Sequence, residues 1–349
     1  MLKNPSKKFW KNKIVLITGH TGFTGSWLSL VLNFYGAKIY GLSLKPNTQP
    51  SMFNILKIKD KIIKSYYCDI NDLKKTKKIL YKVKPEIIFH LAAQPLVNKS
   101  LLEPIKTFNT NIIGTLNICE ISKKLKKLKH LLIVTTDKCY KNLNSKKIKF
   151  FKEEDELGGV EPYSASKACA EILIHSYRGT YFDKNVSITT ARAGNIIGGG
   201  DWAEDRLIPD IFKSLNSKKI LKIRYPNATR PWQHVLDVLN GYILLAETKY
   251  SGAWNFGPTI KKTFKVKKIL SFFKKKNPKF LWKKEIPKTK NESINLNLNV
   301  NKTVKKLKWR SRWNLEKSLL ETNKWYVSFY RGDNINLITY NQIKNFFNL

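Results

Sequence analysis

The chain has 349 residues, with 65 Lys and Arg against 25 Asp and Glu, for a formal net charge of +40 at pH 7. That length supports a large buried core in two unequal lobes and excludes a small disulfide-stapled scaffold. A charge this large directs attention to polyanions, yet the lysines are spread through nearly every segment with no basic-aromatic recognition module, a distribution that reads as solvated surface and argues against a nucleic-acid partner.

The four cysteines, Cys68, Cys119, Cys139 and Cys169, contain no C-x-x-C pair, so a reducing, cytoplasmic compartment is expected. The basic start, Met1 to Lys13, leads into an apolar run, Ile14 to Ile17, that is too short for a signal peptide. No stretch reaches the roughly 18 apolar residues of a membrane helix, and a soluble protein without a membrane partner is expected. The five histidines show no metal-ligand spacing, and no metal is expected.

In chain order, residues 14 to 18, IVLIT, read as a strand buried on both faces. Residues 23 to 35 follow with helical spacing of Trp27, Leu28, Val31 and Leu32. Between them, T-G-H-T-G-F-T-G places Gly19, Gly22 and Gly25 at a strand-to-helix turn. One glycine permits the tight turn, one lets the backbone approach a pyrophosphate, and the helix N-terminus supplies N–H donors. Short apolar runs at 38–44, 62–68, 86–91 and 131–135 alternate with helix-like stretches such as 72–83. Such alternation predicts an α/β fold, a doubly wound parallel (Rossmann) sheet with crossover helices.

Pro104 and Pro162 sit where first-turn prolines belong, predicting helices to about Lys126 and from Tyr163 to about Thr180. After a strand at 187–191 the alternation breaks into a glycine-rich loop, 194–201, and mixed short elements. One amphipathic helix is predicted there on Val266, Ile269, Leu270 and Phe273. The organisation read from this is a dinucleotide-binding domain with the catalytic residues over 1–192 and a smaller mixed C-terminal substrate-binding lobe over 193–333. No role is assigned to the tail, 334–349.

Tyr163 and Lys167, in Y-S-A-S-K, lie four apart and so share a helix face. A nearby ammonium and a cofactor's positive ring favour the phenolate, so the tyrosine is expected to titrate below its ordinary value of about 10. The run T-T-D-K-C-Y, 135–140, ends the fifth strand, at the edge where open parallel sheets bind ligands. It offers an acid, Asp137, beside a base, Lys138.

These motifs, in this order, resemble those of the extended short-chain dehydrogenases. The resemblance implies NAD as cofactor. It assigns Gly19, Thr21, Gly22, Phe23, Thr24 and Gly25 to the dinucleotide loop, and Asp69 with Ile70 to the adenine. It also places Leu91, Ala92 and Ala93 at the fourth-strand exit, adds Asn111 and Thr135, and makes Thr136 the hydroxyl that joins Tyr163 and Lys167. One departure is Ser43, Leu44 and Lys45, where related enzymes carry an acidic residue for the ribose; a lysine there suits a 2′-phosphate.

The Asp137 and Lys138 pair is similar to that of the sugar-nucleotide 4,6-dehydratases, which need one proton taken and one given, although the usual pair is Asp and Glu. To act as a base, Lys138 must fall from a reference pKa of about 10.4 toward about 7 to 8. Segments 192–210 and 230–235, with Gln94 to Val97, resemble the CDP-glucose branch of that family. This implies CDP-glucose as substrate, held by Gln94, Asn195, Arg206, Leu207, Arg230 and His234, the two arginines gripping the diphosphate. Trp202 or Trp232 would cover a flat ligand face, against the alternative that they are core. The resemblance also implies a lyase, a homodimer packed through helices near 105–126 and 163–180, and a deoxysugar destined for surface polysaccharide. A sugar-nucleotide 4-epimerase or decarboxylase is the alternative enzyme. A dinucleotide-binding protein touching nucleic acid through its basic surface is the non-enzyme alternative.

Overall fold

The computed structural model describes residues 3–142, 149–183, 185–259, 264–286 and 295–349. Its frame is a parallel sheet of seven strands: β1 (Ile14–Thr18), β2 (Lys38–Ser43), β3 (Lys64–Tyr67), β4 (Ile87–His90), β5 (His130–Val134), β6 (Ser187–Ala193) and β7 (Gly252–Phe256). They lie in the order β7-β6-β5-β4-β1-β2-β3, every pair parallel. This is the doubly wound sheet predicted from the alternation, and its order reverses between β1 and β4. Chain leaving the carboxyl ends of those two strands turns to opposite sides, which opens a crevice there.

The helix Phe23–Phe34 follows β1 and buries Trp27, Leu28, Val31 and Leu32 completely. Trp27 Nε1 donates to Gly199 O at 2.9 Å, fastening the first helix to the glycine loop after β6. Pro104 opens the helix Pro104–Phe108, which widens into a π turn, Asn109–Ile113, before continuing as Gly114–Ser122. That widening lies at Asn111, which is buried. The helix stops at Ser122, short of the predicted 126. Helix Pro162–Thr180 starts at its proline and is capped by Glu161, which accepts from Tyr163 N at 2.7 Å and Ser164 N at 3.1 Å.

The C-terminal half adds short strand pairs, Leu221–Ile223 with Trp282–Lys284 and Thr229–Arg230 with Phe264–Lys265, over the crevice. The predicted amphipathic helix is Val266–Lys276, with Ile269, Leu270 and Phe273 buried. Helix Val235–Ala246 is buried along its whole length and packs against β5, returning the chain to the first lobe. Strand β7 went unread in the sequence because G-A-W-N-F is short and its apolar run is broken by Asn255.

The tail is a helix, Ile335–Phe347, packed on Leu315–Arg331. Ile343, Phe346 and Phe347 are buried, Trp325 Nε1 donates to Thr339 Oγ1 at 2.9 Å, and the Arg312 guanidinium lies 5.1 Å from the Phe346 ring. Trp202 belongs to the same aromatic cluster, its ring centroid 5.1 Å from Phe329 and 5.5 Å from Trp325. It is core and covers no ligand face. Among the described residues no helix is long and apolar enough to cross a membrane. Phe346→Ala is expected to lower stability by about 3–5 kcal/mol in urea unfolding; an unchanged midpoint would show that the tail helix does not hold the core.

Candidate active site

The dinucleotide loop follows from sterics. Gly19 has φ +75°, and a Cβ there would stand 2.8 Å from Ala92 N, so the β1 and β4 exits touch backbone to backbone. A Cβ at Gly25 would collide with Gly19 O and His20 Cα, which lets the helix start rest on the turn. No side chain caps that helix at Gly22, leaving its first-turn N–H groups to an anion. Asp69 is exposed at the end of β3, while Ile70 is buried beneath it against Gly114. These residues fit a dinucleotide diphosphate and an adenine edge. The Thr21 side chain braces this loop against the β2 exit: its Oγ1 pairs with Ser43 Oγ at 2.8 Å and donates to Leu44 O at 2.9 Å.

A cavity of about 820 Å³ opens at the crevice. It brings together Thr24, Leu91, Ala93, Thr135, Thr136, Asp137, Lys138, Tyr163 and Lys167 with Asn195, Arg206, Leu207 and Arg230 from the second lobe. Besides most of the glycine turn, Asp69, Ile70 and Ala92, the predicted residues Asn111, Gln94 and His234 do not line it. Asn111 is buried, accepting from Gln94 N at 2.8 Å and donating to Gln94 O at 3.1 Å and Ser166 Oγ at 2.9 Å, so it clamps the β4 exit to the catalytic helix. The Gln94 side chain donates to Thr107 Oγ1 and Leu96 O, at 2.9 and 3.1 Å, and shapes its own loop. His234 is fully buried as the N-cap of Val235–Ala246, accepting from Leu236 N, with its ring against Trp313. An acceptor is what a helix start demands, and Nδ1 supplies it.

The catalytic wall grows from the end of β5. Thr136 caps a 3-10 turn, Asp137–Cys139, accepting from Lys138 N at 3.3 Å and donating to Asp137 Oδ1 at 3.1 Å. The turn sets Asp137 and Lys138 beside Thr136. Lys167 Nζ donates to Val134 O at 3.0 Å, and burial brings its pKa down to about 8 against the pull of Glu171. Burial also pushes Asp137 up to about 6, with the Lys138 cation, the Thr136 hydroxyl and Arg230 opposing. A carboxyl so placed gains and loses its proton close to neutrality, well above the ordinary carboxylate range. Tyr163 departs from expectation: burial drives it up to about 12, outweighing the Thr136 hydroxyl that favours its phenolate. Helix spacing alone does not lower a phenol that the fold has desolvated.

Across the cavity, Arg206 pairs with Asp201 at 2.8 Å, which fixes its guanidinium. Arg230 is buried and donates to Thr229 O at 2.9 Å. Trp232 also lines the cavity, whereas Trp202 does not. Sequence reading missed Glu171, whose carboxylate accepts from Thr135 Oγ1 at 2.5 Å, Thr190 Oγ1 at 2.7 Å and Arg192 at 2.9 Å. The available signal was its spacing, one helical turn past Lys167 on the buried face. It also missed Tyr242, which lines the cavity from Val235–Ala246. Among the described residues no group of three or more His, Cys, Asp or Glu is placed to hold a metal ion.

A glycine turn at a topological switch point and a Tyr-Lys-Thr set on the β5 edge are the marks of an extended short-chain dehydrogenase. Within that class, the chain belongs to the GDP-mannose 4,6 dehydratase family, whose profile matches residues 16–322. A CDP-glucose 4,6-dehydratase of Salmonella typhimurium is 39% identical over 356 aligned residues, 97% of this chain and 98% of the relative. A UDP-glucose 4-epimerase of Thermotoga maritima solved with UDP-glucose has a TM-score of 0.79 at 22% identity, covering 90% of this chain and 99% of that one. A dTDP-glucose 4,6-dehydratase of Bacillus anthracis in complex with NAD has a TM-score of 0.76 at 22% identity, covering 91% and 98%. The fold is thus common to epimerases and dehydratases.

Because the folded pKa of Asp137, about 6, lies above its ordinary 3.8, its contribution to stability is full below pH 3.8 and is lost as pH rises through 6. Asp137→Asn is therefore expected to stabilise the fold by about 3 kcal/mol at pH 7.5, the worth of roughly two pKa units, and by nothing near pH 3.5. Thermal unfolding at both pH values checks this; no gain at pH 7.5 would show that the carboxyl is not desolvated.

Proposed function

We propose that the chain is an NAD-dependent CDP-glucose 4,6-dehydratase, a lyase converting CDP-glucose to CDP-4-dehydro-6-deoxyglucose. One observation carries the reading: a single wall holds two sets of proton-transfer groups, Tyr163 with Thr136 and Asp137 with Lys138. Oxidation at C4 needs the first set alone. Loss of water across C5 and C6 needs the second as well, and a 4-epimerase has no use for it. The similarity to a CDP-glucose 4,6-dehydratase along nearly the whole of both chains supports cytidine as the nucleoside.

NAD, held by the Gly19–Gly25 turn and the uncapped helix start at Gly22, would supply a hydride acceptor for C4 and a hydride donor for C6, with no net redox change. Tyr163 takes the O4 proton, its phenolate favoured by the Thr136 hydroxyl and by the Lys167 ammonium. The 4-keto group acidifies the C5 proton, which Lys138 removes. Asp137, which gains and loses its proton close to neutrality, protonates the departing C6 hydroxyl. Arg206, fixed by Asp201, and Arg230 face the diphosphate, and Asn195 lies between diphosphate and sugar. Residues 1–192 carry cofactor and chemistry in this reading, and 193–333 the nucleotide. Exposed apolar side chains on the two helices beside the site, Ile105, Ile113 and Ile172, support a homodimer packed there. A cytoplasmic enzyme making a deoxysugar precursor for surface polysaccharide completes the proposal.

Incubation with CDP-glucose is expected to give the alkali-absorbing keto product faster than dTDP- or GDP-glucose does. No turnover of any of the three overturns the reading. The purified protein is expected to retain NAD in preference to NADP despite Lys45; the reverse preference refutes that choice. Lys138→Ala should keep substrate-dependent C4 oxidation, seen as reduced-nicotinamide absorbance, and lose dehydration on the order of 10²–10⁴-fold. Undiminished dehydration would remove Lys138 from the base role.

A further inference from the structure

Three residues that line the cavity carry a buried polar atom with no hydrogen-bond partner among the described residues: Trp232, through Nε1, and an oxygen pair, Asp137 Oδ2 and the Tyr242 hydroxyl. Unpaired buried polar groups cost roughly 1–3 kcal/mol each, so a pair on one ligand cavity implies a ligand that satisfies both. Tyr242 is fully buried, projects from a helix with no exposed residue, and lines the same cavity as Tyr163 and Asp137. It feels the negative charge of both, which together with burial holds its phenol well above the ordinary value. It is therefore a neutral donor at working pH and no base.

Its place relative to the sugar follows, given the reading above. Tyr163 serves O4 and Asp137 serves O6, and those oxygens lie on one edge of the hexose. A donor that lines the same cavity, within reach of the charge of both residues, is placed to meet that edge.

We propose that the Tyr242 hydroxyl binds the substrate's 6-oxygen and shares with Asp137 the polarisation of the leaving group. As Lys138 takes the C5 proton, the C5–H electrons become the C5=C6 bond. The C6–O bond breaks with its electron pair going to oxygen, and the Asp137 proton makes that oxygen water. Tyr242 keeps its own proton and donates a hydrogen bond that strengthens as charge builds on the departing oxygen. It is a substrate-contacting residue for elimination and not for oxidation at C4.

The test uses full-length Tyr242→Phe with bound NAD, on CDP-glucose and on CDP-6-deoxy-6-fluoroglucose, whose fluoride leaves without a proton. On CDP-glucose, dehydration is expected to fall on the order of 10- to 100-fold, while formation of reduced nicotinamide stays within about three-fold of wild type. On the fluoro sugar, fluoride release by the variant should approach the wild-type rate, as should that of Asp137→Asn. Undiminished dehydration of CDP-glucose overturns the proposal, as does an equal loss of oxidation and elimination without rescue by fluoride, which is the signature of a packing defect. Wild-type enzyme inactive on both sugars would instead refute the CDP-glucose reading itself, so the two failures are told apart.

Discussion

A single buried carboxylate, Glu171, ties together the three elements that carry the chemistry. It projects from the catalytic helix and accepts from Thr135 at the end of β5 and from Thr190 and Arg192 on β6. Arg192 passes the connection on, donating to Tyr140 Oη and Glu153 O at 2.9 Å, and Tyr140 donates to Asn255 on β7 at 2.7 Å. Both members of the ion pair are nearly inaccessible to water. Losing one partner of such a pair typically costs about 3–5 kcal/mol, because the other charge is left desolvated and alone. The turn bearing Thr136, Asp137 and Lys138 starts one residue past the Thr135 anchor, and Lys167 lies one helical turn before Glu171. The geometry of the wall is inherited from this hub.

On that frame, burial acts on each ionisable group according to its charge. It lowers Lys167 to about 8 and raises Asp137 to about 6, so both change protonation near neutrality. The same desolvation raises Tyr163 to about 12, which leaves the phenol as a proton donor until positive charge is brought beside it. One low-dielectric pocket thus provides a carboxyl and a lysine that both exchange a proton near neutrality, and a tyrosine governed by the charge state of its ligand.

The sheet was legible because strands buried on both faces leave continuous apolar runs, and the glycine turn because few residue types tolerate its contacts. Strand β7 and the tail helix were not: G-A-W-N-F has no alternation, and Ile335–Phe347 buries its stripe only against a neighbour supplied by the fold. Motif spacing placed Tyr163, Lys167, Thr136, Asp137 and Lys138 on one wall. Gln94 and His234 hydrogen-bond to local backbone and do not line the cavity, and spacing was silent on Glu171, whose partners lie 19 or more residues away, and on Tyr242, which a separate helix brings to the cavity. Spacing reveals what shares a helix face, and it says nothing of which distant strand that face meets.

The central claim is that one wall passes a substrate through oxidation, elimination and reduction without release. CDP-glucose carrying deuterium at C4, turned over in ordinary water, tests this most directly by NMR of the product. The account requires the deuterium to appear at C6 and a solvent proton at C5. Deuterium lost to solvent, or retained at C4 of an epimerised sugar, would contradict it.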